Sequence, residues 1–129
     1  MRNKLLFVLT IPVLLSGCQT WGPTWSEITG QRWNRTIMHR FPGIIESIDG
    51  RSAFVTAPMR VEPGLRQIQM QGPPMGRPGG GILVNFELKV EPCKRYYLNA
   101  QARNNIQPDF EPVVDHVEDI AGCTVTPAK

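Results

Sequence analysis

The residues with the most chemical potential lie in one short stretch, from Asp115 to Asp119, with the sequence DHVED. Carboxylates beside an imidazole can transfer protons or bind a metal ion. In an extended strand, however, His116 and Glu118 share one face while Asp115 and Asp119 share the other. The four side chains converge on one ion only if a β-bulge interrupts the strand. We therefore predict no catalytic residue and no metal ligand here.

A second conspicuous stretch runs from Gly72 to Gly81, with the sequence GPPMGRPGGG. Five glycines and three prolines in ten residues exclude a regular strand. A phosphate-binding loop would need a helix after it, whereas the alternation that follows predicts a strand. We predict an exposed loop, and two interpretations remain open: a docking loop centred on Met75 and Arg77, or simple disorder.

The elements that would position these stretches are strands. Apolar and polar residues alternate over residues 82–91, which is the period of a half-buried strand. Residues 44–48 lead into Asp49-Gly50, a tight-turn signal, and residues 52–56 can return as the second strand of a hairpin.

Further strands are predicted over residues 65–71, 96–103 and 112–120, and no segment of this region shows a helical repeat. Short strands separated by turn signals are typical of all-β domains. We predict a small antiparallel β-sandwich or partly open barrel of about six or seven strands over residues 43–129.

The chain begins with a short basic head, from Met1 to Lys4, followed by an apolar run of eleven residues, 5–15. This run is too short to cross a membrane, since a spanning helix needs roughly 20 apolar residues. A basic head, a short apolar run and small residues behind it are the layout of a secretory signal peptide. We predict that residues 1–17 are such a signal and are removed.

The cysteine behind this signal predicts a membrane anchor. Leu15-Ser16-Gly17-Cys18 resembles the lipobox of bacterial lipoproteins. The resemblance implies a diacylglycerol on the sulfur of Cys18, cleavage before it, and acylation of the new amino terminus, on the periplasmic face of the cell envelope. In the enterobacterial members of that family, retention in the inner membrane usually requires aspartate at the position of Gln19, so the resemblance favours the outer membrane. The alternative is an ordinary signal peptide, with Cys18 as a plain thiol.

Two cysteines remain, Cys93 and Cys123. In an oxidising periplasm an isolated pair of cysteines is most simply a disulfide. Two thiolates without CxxC or HxxxH partners make a poor zinc site. We predict one disulfide and no cofactor.

Residues 18–42 show no steady period and hold all three tryptophans, Trp21, Trp25 and Trp33. We predict a lipid-anchored tether that packs only partly onto the domain. Two interpretations of the indoles remain open. They lie at the membrane interface, where an apolar ring with a polar N–H is favoured, or they cover one end of the domain.

Charge is unevenly distributed along the chain. Removal of residues 1–17 takes two of the fourteen basic residues and none of the eleven acids, so the remaining near balance argues against nucleic-acid binding. Seven arginines and no lysine lie between residues 32 and 77, and five acids without any lysine or arginine lie between residues 109 and 119. These segments offset each other in the fold, or some arginines face anionic lipid headgroups or a partner's carboxylates.

Four segments together carry a second resemblance: SIDG at 47–50, VEPGLRQIQM at 61–70, CKRYYLNA at 93–100 and FEPVV at 110–114. Their order is similar to that in small proteobacterial envelope lipoproteins and, more distantly, in PEGA-type β-sandwich domains. The resemblance implies a binding or structural module without catalysis, whose partner is another envelope protein, peptidoglycan or a lipid surface. The alternative is a small periplasmic enzyme, or an inhibitor of one, that uses residues 72–81 and 115–119.

Overall fold

The computed structural model describes residues 24–53, 57–75 and 80–125. The predicted signal peptide, Cys18 and Arg77 lie outside these residues. In chain order the described strands are β1 (Ser26–Thr29), β2 (Arg40–Pro42), β3 (Ile44–Ile48), β4 (Arg51–Ser52), β5 (Met59–Val61), β6 (Gly64–Gln71), β7 (Leu83–Val90), β8 (Lys94–Ala102) and β9 (Phe110–Asp119). They form two sheets that face each other and are not closed into a barrel, which confirms the predicted all-β class.

Sheet A is built around β8, which has neighbours along both edges. β9 pairs antiparallel with β8 along its whole length. The other edge of β8 is shared, because β1 pairs parallel with residues 95–97 and β2 pairs antiparallel with residues 99–101. β5 extends the sheet beyond β1.

Sheet B has the order β4-β3-β6-β7 and is antiparallel. The side chains of β7 alternate between exposed and half-buried up to Val90, as the period-2 pattern predicts. Among the described strands β7 pairs with β6 alone, so it lies at the edge of sheet B. Alternation shows that one face of a strand is covered, but it does not reveal how many strands lie beside it.

Gly43 joins β2 of sheet A directly to β3 of sheet B. Its N–H donates to the carbonyl oxygen of Leu98 in β8 (3.2 Å). A Cβ atom on Gly43 would lie 2.5 Å from that oxygen and 2.8 Å from the Sδ of Met70, so a larger residue does not fit. β2 pairs with one edge of β8, and β3 pairs with one edge of β6. Because β2 and β3 are joined without a loop, these two edges lie on the same side of the sandwich. β9 and β7 therefore lie together on the opposite side.

The core lies between the sheets and draws on strands from both halves of the chain. Its side chains with at most 1% exposure include Ile28, Ile48, Ile68, Met70 and Leu98. Complete burial of a side chain of this size stabilises a fold by about 1.5 to 3 kcal/mol. The short N-terminal strands and the long C-terminal strands thus depend on one another.

The structure moves the domain boundary that we predicted at residue 43. All four residues of β1 are buried, and Ile28 belongs to the core. Residues 24–42, which we assigned to the tether 18–42, are therefore part of sheet A, through β1 and β2. The pattern missed β1 because a short strand that is buried on both faces shows no alternation. Residues 18–23 of the predicted tether lie outside the described residues.

The predicted hairpin at Asp49-Gly50 is present, with β3 and β4 paired on either side. Both turn residues have positive φ, 50° and 78°, as a type I′ turn requires. The carboxylate of Asp49 accepts hydrogen bonds from the backbone N–H of Gln67 (2.8 Å) and from Nη1 of Arg66 (3.0 Å). The bond from Gln67, more than that from Arg66, lowers the pKa of Asp49 below its ordinary value of 3.8.

We expect acid to weaken this turn. A carboxyl group whose pKa is lowered by folding stabilises the folded state above its unfolded pKa, and this contribution is lost as the pH falls through the folded value. Asp49→Asn tolerates the same positive φ and keeps an acceptor oxygen, so it should remove only the acid-dependent part. Denaturant unfolding of both proteins between about pH 5 and pH 2 measures the difference. The same acid dependence in the variant would contradict the role of Asp49.

The predicted disulfide between Cys93 and Cys123 is present, with 5.5 Å between the Cα atoms. Cys93 lies in the turn between β7 and β8, and Cys123 follows the end of β9. The backbone of Cys93 also accepts a hydrogen bond from the N–H of Ile120 and donates one to the carbonyl of Trp25, both at 3.0 Å. The disulfide therefore lies where β1, β8 and β9 meet at one end of sheet A.

Loss of this bond should destabilise the domain substantially. On the chain-entropy model, a loop of 30 residues corresponds to about 3 to 4 kcal/mol. We expect Cys93→Ser/Cys123→Ser to lose about this much free energy of unfolding in urea. Mass analysis of the purified wild-type protein without reductant should show the two cysteine peptides joined, and the recovery of two free thiols would contradict the disulfide.

Candidate functional site

The outer face of sheet A carries a row of alternating charges across four strands. Glu27 of β1 is paired with Arg60 of β5 on one side and with Arg95 of β8 on the other, and Arg95 is paired with Glu118 of β9. Paired residues share a face, so these side chains lie side by side. Arg95 donates from Nε to Glu27 (2.6 Å) and from Nη1 to Glu118 (2.8 Å). The side chain of Glu27 is only 10% exposed, so Arg95 neutralises a carboxylate that solvent barely reaches.

Tyr97 extends this network along β8. Its hydroxyl donates to Oε1 of Glu118 (2.5 Å), and its ring lies 5.8 Å from that of His116. Burial, followed by the bond to Glu118, raises the pKa of Tyr97, whereas the bonds from Tyr97 and Arg95 lower the pKa of Glu118. The bond to Glu27 is the main reason that the pKa of Arg95 is raised. These shifts keep Tyr97 protonated and Glu118 ionised at neutral pH, so the network holds charges in place and is poorly suited to proton transfer.

A β-bulge changes the face on which Asp115 lies. In the pairing of β8 with β9, Tyr97 lies opposite His116 and Leu98 lies opposite Val114, so Asp115 is the additional residue. The carboxylate of Asp115 accepts from Nη1 of Arg40 (2.7 Å), and the side chains of this pair are 7% and 13% exposed. The alternation that assigned Asp115 and His116 to opposite faces therefore fails here, because a bulge adds a residue without a partner.

The bulge does not create a metal site in the described part of the chain, which contains no group of three His, Cys, Asp or Glu side chains placed to hold an ion. Asp115 is bound by Arg40, Glu118 by Arg95, and Asp119 forms an exposed ion pair with Lys94. A concavity of about 280 Å³ lies instead at the end of the β8–β9 hairpin, lined by Gln101, Ala102, Arg103, Asp109, Phe110 and Glu111. It is about the size of the smallest small-molecule sites.

Removal of Arg95 should be costly because it leaves Glu27 buried without a cation. We expect Arg95→Ala to lower the free energy of unfolding by about 2 kcal/mol, less than for a fully buried pair because Arg95 is partly exposed. Chemical denaturation measures this loss. Lys94→Ala is the matched control, since it removes the neighbouring exposed pair with Asp119 and should change stability little. Equal losses in the two variants would contradict the role assigned to Arg95.

The segment between β1 and β2 crosses the outer face of sheet A. The side-chain amide of Asn99 donates to the carbonyl of Arg32 (2.7 Å), and that of Gln101 donates to the carbonyl of Met38 (3.0 Å). Asn99 has no exposed surface although it lies on the outer face. This segment therefore covers half of β8 and fixes the position of its own arginines relative to the sheet.

Three exposed arginines stack on aromatic rings of this face. The guanidinium carbon lies 4.9 Å from the ring centre in the pair Arg60–Trp25, 4.7 Å in Arg35–Trp33 and 5.6 Å in Arg32–Tyr97. We call these six residues the arginine–aromatic patch. No described acid forms an ion pair with its three arginines. The sequence indicated the unusual density of arginine and tryptophan, but the stacked pairs depend on the path of the chain across the sheet.

The predicted docking loop, residues 72–81, is described only in part. Gly72 donates to the carbonyl of Ile82 (3.0 Å), so the loop begins and ends at neighbouring points beside sheet B. Met75 is half-buried and has a positive φ of 47°. Arg77 lies outside the described residues, and the loop therefore stays a candidate on sequence grounds.

Comparison with protein-family models, with curated proteins and with solved structures gives no match for this chain. The resemblance to envelope lipoproteins accordingly stays a prediction from the quoted residues. Within the ranges that the structure describes, no helix has the length and apolar character needed to span a membrane.

Proposed function

We propose that this protein is a lipid-anchored binding or structural module on the periplasmic face of the bacterial outer membrane. The observation that carries the proposal is the order of the first eighteen residues: a basic head, eleven apolar residues and the lipobox ending at Cys18. Such an apolar run is long enough for a signal peptide and too short for a membrane span.

The disulfide supports export of the chain. Disulfides persist in oxidising compartments such as the periplasm and are rare where thiols are kept reduced. The bond between Cys93 and Cys123 is consistent with a protein that matures outside the cytosol.

The position of β1 supports a domain that is held close to its anchor. Trp25, whose backbone is hydrogen-bonded to Cys93 of the disulfide, lies only seven residues after Cys18. Even fully extended, seven residues span at most about 25 Å. A lipid on Cys18 would therefore keep the domain at the membrane surface.

The state of the acidic stretch favours binding over catalysis. Asp115, Glu118 and Asp119 are each engaged by a cation from the protein itself. A carboxylate that acts as general acid or base needs a pKa near the working pH, whereas the pKa of Glu118 is lowered. The partner of the module is another envelope protein or peptidoglycan, with Met75 and Arg77 of the loop 72–81 as candidate contacts.

Lipidation at Cys18 can be tested directly. We expect the wild-type protein to remain in the membrane fraction after carbonate extraction and to carry acyl chains on an amino-terminal Cys18 in mass analysis. Cys18→Ser should remain an unlipidated precursor and lose this attachment. The variant Cys93→Ser/Cys123→Ser is the control, because it also removes thiols but leaves the lipobox intact. A Cys18→Ser protein that stays fully membrane-bound would overturn the proposal.

A further inference from the structure

The arginine–aromatic patch has a positive charge that no ion pair among the described residues neutralises. Three carboxylates on the same face are already engaged, Glu27 and Glu118 by Arg95 and Asp115 by Arg40. The three arginines of the patch are exposed and have aromatic rings as their described partners. Stacking holds a guanidinium in a defined orientation while its N–H groups remain available to an anion.

The patch occupies one region of the sandwich. Arg60 lies in the row of Glu27 and Arg95, two strand spacings from β8, which is roughly 10 Å. Arg32 stacks on Tyr97, the next residue of β8 on this face, and Arg35 belongs to the same covering segment. The three cations therefore project from the half of the face that is formed by β5, β1 and the β1–β2 segment.

Apolar side chains are exposed on the same segment. Met38 is 77% exposed and Ile37 is 37% exposed, and Trp33 of the same segment is half-buried. Cations combined with indoles and exposed aliphatic side chains match the chemistry of a bilayer interface, where phosphates lie above an apolar layer.

Exposed acids lie at the margins of this region and define its orientation. Glu62 follows the end of β5, and Glu111 lies on β9, at the far edge of sheet A. On the side of β5 and β1 the three arginines of the patch outnumber Glu62, so an anionic surface would attract that side and repel the side of β9. The acids thus favour one orientation of the domain over the others.

We infer that the arginine–aromatic patch lies against the anionic phospholipid headgroups of the membrane that holds the protein. This inference rests on the proposed lipid anchor, because Trp25 belongs to the patch and lies seven residues after Cys18. The anchor attaches the chain, and the patch then selects which face of the domain meets the bilayer. Each arginine near an anionic surface raises the population of that orientation, relative to the others, about fivefold, so two arginines raise it about thirtyfold.

The orientation can be measured on the purified, lipidated protein in vesicles. One preparation contains phosphatidylcholine alone, and the other contains equal parts of phosphatidylcholine and phosphatidylglycerol, each with brominated acyl chains as quencher. We expect stronger quenching of tryptophan emission in the anionic vesicles, and loss of this difference when the salt concentration is raised. Arg32→Gln/Arg60→Gln should abolish the difference between the two compositions.

The matched control is Arg51→Gln/Lys89→Gln, which removes the same charge from exposed positions of sheet B and should retain the difference. Each variant is compared with itself in the two compositions, so a direct effect of arginine on indole emission cancels. Equal quenching of the wild-type protein in both compositions would overturn the inference, as would equal effects of the two double variants. If the patch binds a protein partner instead of lipid, the wild-type protein would show equal quenching in both compositions. Failure of lipidation would appear separately, in the mass of the amino-terminal peptide.

Discussion

The pairing of β8 along both of its edges is the constraint on which the rest of the structure depends. One edge is occupied by β9 and the other is divided between β1 and β2, which approach from opposite directions. The chain between β1 and β2 must therefore reverse, and it does so across the outer face of β8. The same strand contributes Leu98 to the core and Arg95 and Tyr97 to the outer face. Core packing and surface chemistry are thus coupled through a single strand.

This coupling explains why the outer face of sheet A has both buried charges and, among the described residues, exposed arginines without an ion pair. Where the sheet is covered, carboxylates such as Glu27 and Asp115 must be paired, because an isolated ion is costly to bury. Arg32 and Arg35 lie on the β1–β2 segment that crosses the sheet, and their exposed guanidinium groups stack on Tyr97 and Trp33.

Much of the fold could be predicted from local patterns. The hairpin at Asp49-Gly50 depends on positive φ at two consecutive positions, a local property. The strands β6, β7, β8 and β9 have one apolar face each, so their period is visible in the sequence. β1, β2 and β5 have only three or four residues each, and strands this short do not establish a period. The position of β7 at the edge of the described sheet B is invisible to local patterns for a related reason, because strand neighbours depend on the whole chain.

The candidate site shows the same difference between features that local patterns predict and features that long-range contacts decide. The sequence by itself determined the lipobox-like segment, the pair Cys93 and Cys123, the all-β class and the clusters of arginine and tryptophan, because these follow from composition, spacing and local periodicity. Only the tertiary structure decided that Asp115 shares a face with His116, that Arg95 joins Glu27 to Glu118, and that three arginines stack on three rings. The physical reason is that these contacts join strands distant in sequence, and their register depends on a bulge and on one glycine between sheets.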